Sequence, residues 1–115
     1  MGQTNYSRGH EAEKYAAQFL QQRGYEIIEL NWRTPVCEID IVAKQGQVMY
    51  FVEVKFRANK QQGGGLDYIT PKKLSQLSFA ADCWVQEHDW VGSFELAALE
   101  MSGDYRVERF LPTLT

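Results

Sequence analysis

"VCEIDIVAKQGQVMYFVEVKFR", residues 36–57, decides the fold. It contains two runs of β-forming residues, 36–43 and about 47–57, separated by the polar turn Lys44-Gln45-Gly46-Gln47. That layout predicts two strands paired antiparallel through a tight hairpin. Side chains alternate sides along a strand. Glu38, Asp40 and Val42 are therefore expected on one face, and Cys37, Ile39 and Ile41 on the other. In the following strand Phe51, Glu53 and Lys55 share a face opposite Val52, Val54 and Phe56. Where the faces agree, closing the hairpin sets Asp40 beside Glu53 with Lys55 near.

Working outward, Ala12, Ala16, Phe19 and Leu20 recur at helical spacing and predict a helix over about 8–23, with Gly24 as its C-terminal cap. "YEIIELNW" (25–32) reads as a strand that Thr34-Pro35 ends. Residues 57–69 form a polar loop carrying "GGG" at 63–65. No Gly-Lys-Ser/Thr follows, so this is not a phosphate-binding P-loop. Thr70-Pro71 starts a second helix, expected to reach about Glu87 with Leu74, Leu77, Phe79, Ala81, Trp84 and Val85 mostly inward. "WVGSFELAAL" (90–99) and "YRVERFL" (105–111) read as strands around a turn at Ser102-Gly103-Asp104. The expected order is αβββαββ, an α/β fold. A helix crossing between two strands places a parallel pair inside a mixed sheet flanked by helices.

The chain of 115 residues suits one domain, and 44% hydrophobic residues suffice for one core. A net charge of −3 excludes a protein whose whole surface attracts phosphate. Residues 53–73, however, carry five positive and two negative side chains, a local basic stretch that includes Arg57, Lys60, Lys72 and Lys73. Lys72 and Lys73 oppose the helix dipole at the second helix's N-terminus, which favours an anionic partner there. The longest apolar run is Val48–Val52, far short of a membrane span, and two cysteines without a signal peptide read as reduced thiols in the cytoplasm. His10 and His88 have no third partner in the sequence that would complete a zinc site.

The chemistry centres on the acids. Two carboxylates ~4 Å apart repel by roughly 4 kcal/mol at an effective dielectric near 20, so a cation must offset them. Lys55 is one candidate. Mg²⁺ or Mn²⁺, which prefer carboxylate oxygens, is another. Such a metal keeps open positions for water and a phosphate oxygen, and Lys55 would then orient the attacking water or stabilise developing negative charge. Glu13, in line with Ala16 and Leu20 on the first helix, is the acid there best placed to reach the sheet. Glu38 reads as a strand-end acid. The plain alternative is a solvated salt bridge with Asp40 and Glu53 well apart.

Asp40, twelve intervening residues, then Glu53-Val54-Lys55, resembles the PD-(D/E)xK motif of the restriction-endonuclease-like superfamily. Across most of the chain, Gly9, Glu13, Ala16, Leu20, Gly24-Tyr25, Asn31-Trp32-Arg33, Glu38-Ile39-Asp40 and Phe51-Val52-Glu53-Val54-Lys55 are similar to the YraN-type family, related to archaeal Holliday-junction resolvases. The chain departs from the family pattern at Ala12, at Cys37 and at Ser93-Phe94-Glu95, while the acids and the lysine stand. The resemblance implies a restriction-endonuclease-like fold and a Mg²⁺- or Mn²⁺-dependent endonuclease acting on branched or structured DNA. In it Asp40, Glu53 and the Val54 carbonyl hold metal, Lys55 is catalytic, Glu13 matches the helix-one glutamate and Arg33 contacts a phosphate. It also implies a homodimer. The rival reading is a nuclease-like module that binds nucleic acid or protein without cutting.

Overall fold

The structure, a computed structural model, describes residues 5–57 and 69–114. Its elements are α1 (Asn5–Gln22), β1 (Glu26–Arg33), β2 (Glu38–Gln45), β3 (Val48–Arg57), α2 (Pro71–Glu87), β4 (Ser93–Ser102) and β5 (Val107–Leu111). The αβββαββ order expected from the sequence is the order found. The glycine-rich tract at 63–65 and Lys60 lie outside the described residues.

Local chemistry sets the boundaries. α1 ends where Tyr25 N–H donates to Leu20 O and Gly24 N–H to Gln21 O, with Gly24 at φ 88°, a left-handed cap that glycine adopts without strain. α2 starts at Thr70, whose Oγ1 accepts the Lys73 N–H, with Pro71 in the first turn. β2 starts at Glu38 rather than at 36, because Thr34 Oγ1 accepts the N–H groups of both Val36 and Cys37 and holds them in a turn. β4 starts at Ser93 rather than at 90. Trp90 folds back so that its Nε1 donates to Ser93 O, and Gly92 lies so close that an added Cβ would stand 2.4 Å from Trp90 Cζ2.

The strands form one sheet in chain order, β1-β2-β3-β4-β5. All neighbours run antiparallel except β3 and β4, the pair bridged by α2. Each helix covers one face. α1 packs Ala12, Ala16, Ala17 and Leu20 against Ile41, Ala43, Val52, Ala97, Leu99 and Met101. α2 packs Leu77, Ala80, Ala81 and Trp84 against Trp32, Ile39, Val42, Met49 and Phe51. Alanines on both helices let the backbones approach the sheet, so the two cores are thin and dense. Trp84 also pins α2 to β1: its Nε1 donates to Glu29 Oε1 at 3.2 Å, and His88 stacks on its ring. Phe79, expected inward, is 52% exposed. Among the described residues no helix is long and apolar enough to cross a membrane.

Candidate active site

The hairpin sets the two central acids just past the last paired residues of β2 and β3. Val42 lies opposite Phe51 and Ile41 opposite Val52, and there the regular pairing of β2 with β3 stops. Past that point the strands part. The Val54 N–H, which has no strand partner across the gap, donates instead to Asp40 Oδ2 at 2.8 Å. The carboxylate thus takes the place of a backbone carbonyl in the ladder, since a half-buried N–H left unpaired is costly.

One part of the expected face pattern is corrected. Ile39 and Cys37 pack with Val42 in the α2-side core, while Ile41 packs in the α1-side core. Strict alternation breaks across Asp40 because β2 turns away from β3 there. On β1, Asn31 stands between the paired residues Leu30 and Trp32 with φ 54°, while the register shift of β1 against β2 lies between Ile27 and Glu29. A left-handed residue inside a strand is rare, and Asn is among the few that tolerate it.

Three acids meet at this break. Glu13, 8% exposed on α1, interacts with Asp40 and receives hydrogen bonds at its carboxylate from Asp40 and Asn31. Its Oε1 is buried with no hydrogen-bond partner. Burial pushes the Glu13 carboxyl above its ordinary value, against the opposing pull of His10, those hydrogen bonds and Arg33. Asp40 is pushed up to about 8, first by burial and then by the charge of Glu53, with Glu13 adding to it; the Val54 N–H works the other way. Burial and the neighbouring acids therefore bias Asp40 and Glu13 towards their protonated, neutral forms.

Asp40 and Glu53 open onto a cleft of about 740 Å³ between the 34–37 turn and α2. Lys72 and Lys73 project into it from the first turn of α2, and Arg33 from the end of β1. Lys73 Nζ lies 3.3 Å from Glu53 Oε2, and Arg33 Nε 3.4 Å from Glu38 Oε2, both exposed pairs of small net worth. Asp40, Glu53, Arg33, Lys72 and Lys73 thus line one cleft, and Glu13, which is not among the lining residues, reaches it through Asp40. Lys55 stands one pleat beyond Glu53, in register with Glu100 of β4, and is not among the residues that line the cleft. Arg57 lies further from the cleft and pairs with Glu100 at 3.6 Å, each side chain 13% exposed.

Two residues at the site have no site role in the sequence reading. Asn31 tethers Glu13, and its signal was a poor strand former inside "YEIIELNW". Phe79 lines the cleft beside the cations, and its signal was its angular position on α2: two residues past Leu77, it lies about 200° round the helix.

The donors at the break are all oxygens, the chemistry that suits Mg²⁺ or Mn²⁺. Among the described residues no three His, Cys, Asp or Glu side chains form a ready-made metal-ligand group. What fits a cation is the Asp40–Glu53 pair, open to the cleft, where a cation would favour the ionised carboxylates that burial opposes.

Comparison with known proteins adds a family. The sequence model described as "Uncharacterised protein family UPF0102" matches residues 12–108, which includes every residue of the site. A UPF0102 protein of Shewanella woodyi is 38% identical over 96 residues, covering 82% of this chain and 82% of its own. One from Cytophaga hutchinsonii is 33% identical over 97 residues, covering 84% and 86%. One from Neisseria meningitidis serogroup C is 37% identical over 84 residues, covering 73% of each.

Proposed function

We propose a function for this chain from the premise that it belongs to the UPF0102 family: it is a metal-dependent endonuclease of the PD-(D/E)xK type that hydrolyses phosphodiester bonds in branched or structured DNA. The observation that carries the reading is the convergence of Asp40 and Glu53 at the break between β2 and β3. There Asp40 is raised to about 8 by burial and by the neighbouring acids, and the acids open onto a cleft with cations on its wall. A structural salt bridge has no need of three acids at one point. A site that recruits a divalent cation and a phosphate does.

In this reading Asp40, Glu53 and the Val54 carbonyl would hold Mg²⁺ or Mn²⁺. The cation, when bound, supplies Lewis-acid stabilisation of charge on a phosphate oxygen. The chain's own residues do the rest. Glu13 and the Val54 N–H fix the Asp40 carboxylate from two sides, so that little reorganisation remains when substrate arrives. Lys72 and Arg33 bind phosphates along the cleft. Lys73, paired with Glu53 before the cation binds, then becomes available to a phosphate. Lys55, next to Glu53 on the same face of β3, orients the attacking water.

The Lys73–Glu53 pair favours a second reading, because a cleft that neutralises itself suits a module that binds nucleic acid or protein without cutting. One experiment separates the two. Purified protein and Glu53→Gln are incubated with Mn²⁺ and labelled single-stranded, forked, flapped and four-way-junction DNA. The endonuclease reading expects cutting by the parent alone. Equal cutting by both proteins marks a contaminant and removes the assignment. Binding without cutting moves the function to the second reading.

A further inference from the structure

We propose that the cleft takes its DNA as an unpaired strand along α2, with Phe79 stacking on an exposed base. The proposal rests on the endonuclease reading and narrows its substrate to DNA that is single-stranded beside the cut.

α2 shows two faces with different tasks. Leu77, Ala80, Ala81 and Trp84 are buried against the sheet and account for its packing. Lys72, Gln76 and Phe79, at i, i+4 and i+7, share a second face that lines the cleft. This face runs from two cations at the helix start to an aromatic ring ~10 Å further along the axis. Phe79 contributes little to the core and stands 52% exposed.

Val36 lines the same cleft from the 34–37 turn and is 74% exposed. It is not held out by accident. Thr34 Oγ1 accepts the N–H groups of Val36 and Cys37 at 3.2 and 3.1 Å, and Thr34 N–H donates to Cys37 O at 2.9 Å, so the turn is braced with Val36 at its tip. A cleft leading to the acids thus combines cations with two exposed apolar groups.

Each kind of group rewards a different part of a nucleic acid. Cations reward phosphates in any strand. An aromatic face rewards a base only when that base is out of its own stack, because duplex base faces are already covered. Placing both along one helix face selects a strand whose phosphates follow the lysines and whose bases are open. Since every base has a π-face, the contact carries little sequence preference.

The test is fluorescence anisotropy of the full chain in Ca²⁺, with a labelled oligothymidine, an abasic strand of equal length and a fully paired duplex of the same length. Phe79→Ala is expected to weaken oligothymidine binding about tenfold, in line with base–aromatic stacking, and to leave duplex and abasic binding within about twofold. Phe79→Trp is expected to retain oligothymidine binding. Thermal unfolding of each variant, unchanged for a half-exposed side chain, shows that the fold is intact. Phe79→Ala weakening all three probes alike, or none, overturns the proposal, as does Phe79→Trp behaving like Phe79→Ala. If the parent binds no probe and cuts no DNA, the endonuclease reading falls and the proposal with it. If the parent cuts in a Glu53-dependent way while Phe79→Ala cuts and binds normally, only the proposal falls.

Discussion

The Val54 N–H donates to Asp40 Oδ2 at 2.8 Å where β2 and β3 separate, so one carboxylate both completes the sheet and forms the wall of the candidate site. Structure and function make opposite demands on that carboxylate. The sheet needs an acceptor, which a neutral amide also supplies. The site needs a charge, which burial and two neighbouring acids oppose. Asp40→Asn keeps an oxygen for the Val54 N–H and removes the repulsion. It is expected to raise the stability of the metal-free protein at pH 9 while abolishing cutting. Asp40→Ala leaves the N–H unpaired and is expected to lose about 1–3 kcal/mol. Urea unfolding of both variants beside the parent checks this, and equal losses would show that the hydrogen bond does not matter.

The sign of the pH dependence follows from the same residue. Asp40 binds its proton more tightly folded, up to about 8, than unfolded, near its ordinary 3.8. Between those values the folded state holds a proton that the unfolded state has lost, so stability falls as pH rises, by at most ~1.4 kcal/mol per pH unit per proton, and levels off above about 8. Glu13, also raised, acts in the same direction. Metal-free parent protein is expected to lose stability from pH 5 to pH 9, and Asp40→Asn to lose much less over that range. Added Mn²⁺ is expected to restore the parent most at high pH, where the carboxylate is already ionised. Melting temperatures at three pH values, with and without Mn²⁺, decide it.

Much of this arrangement was legible in the sequence, and the reasons differ by element. The hairpin was legible because two β-rich runs flank a short polar turn, and that sets the register from Gln45 opposite Val48 to Ile41 opposite Val52, one residue short of Asp40 and Glu53. The start of α2 and the end of α1 were legible because Thr70-Pro71 and Gly24 act through local backbone geometry. Strand alternation alone did not show the break at Asp40, since the end of the β2–β3 pairing at Ile41 and Val52 and the approach of Glu13 from α1 are tertiary features that no local pattern carries. The role of Arg57 was illegible for a similar reason: its partner, Glu100, lies on β4, brought alongside by the parallel pairing.

That partner sets what Arg57 does. Both side chains are largely buried, so removing the guanidinium leaves Glu100 as an uncompensated charge. Arg57→Ala is expected to destabilise the chain by about 3–5 kcal/mol, and Arg57→Lys by less. Neither is expected to change the salt dependence of DNA binding. A drop in the salt slope of about one in Arg57→Lys, with stability unchanged, would return Arg57 to the phosphate contacts.

Lys73 is the opposite case. It is exposed, its pair with Glu53 is worth at most about 1 kcal/mol, and a divalent cation on Glu53 competes with it. Lys73→Ala is expected to leave stability within about 0.5 kcal/mol and to tighten Mn²⁺ binding severalfold. It is also expected to weaken DNA binding with a smaller salt slope. Mn²⁺ titration by calorimetry and DNA titration at several salt concentrations read the two effects separately. Looser Mn²⁺ binding would show that Lys73 does not compete for Glu53.

Asn31 combines strain with function, and its variants separate the two. Its φ of 54° is a conformation that glycine adopts freely and β-branched residues resist. Its side chain also donates to Glu13, which in turn contacts Asp40. Asn31→Gly keeps the backbone and loses the tether, so the fold is expected to stay within about 1 kcal/mol of the parent while cutting falls by about tenfold or more, as for lost outer-shell support of a metal site. Asn31→Val cannot hold the backbone without strain and is expected to destabilise by about 1–3 kcal/mol. Because the two variants differ in strain but share the loss of the tether, equal cutting by folded Asn31→Gly and by the parent would show that Glu13 holds its position without Asn31. The left-handed backbone at Asn31 would then serve the sheet alone.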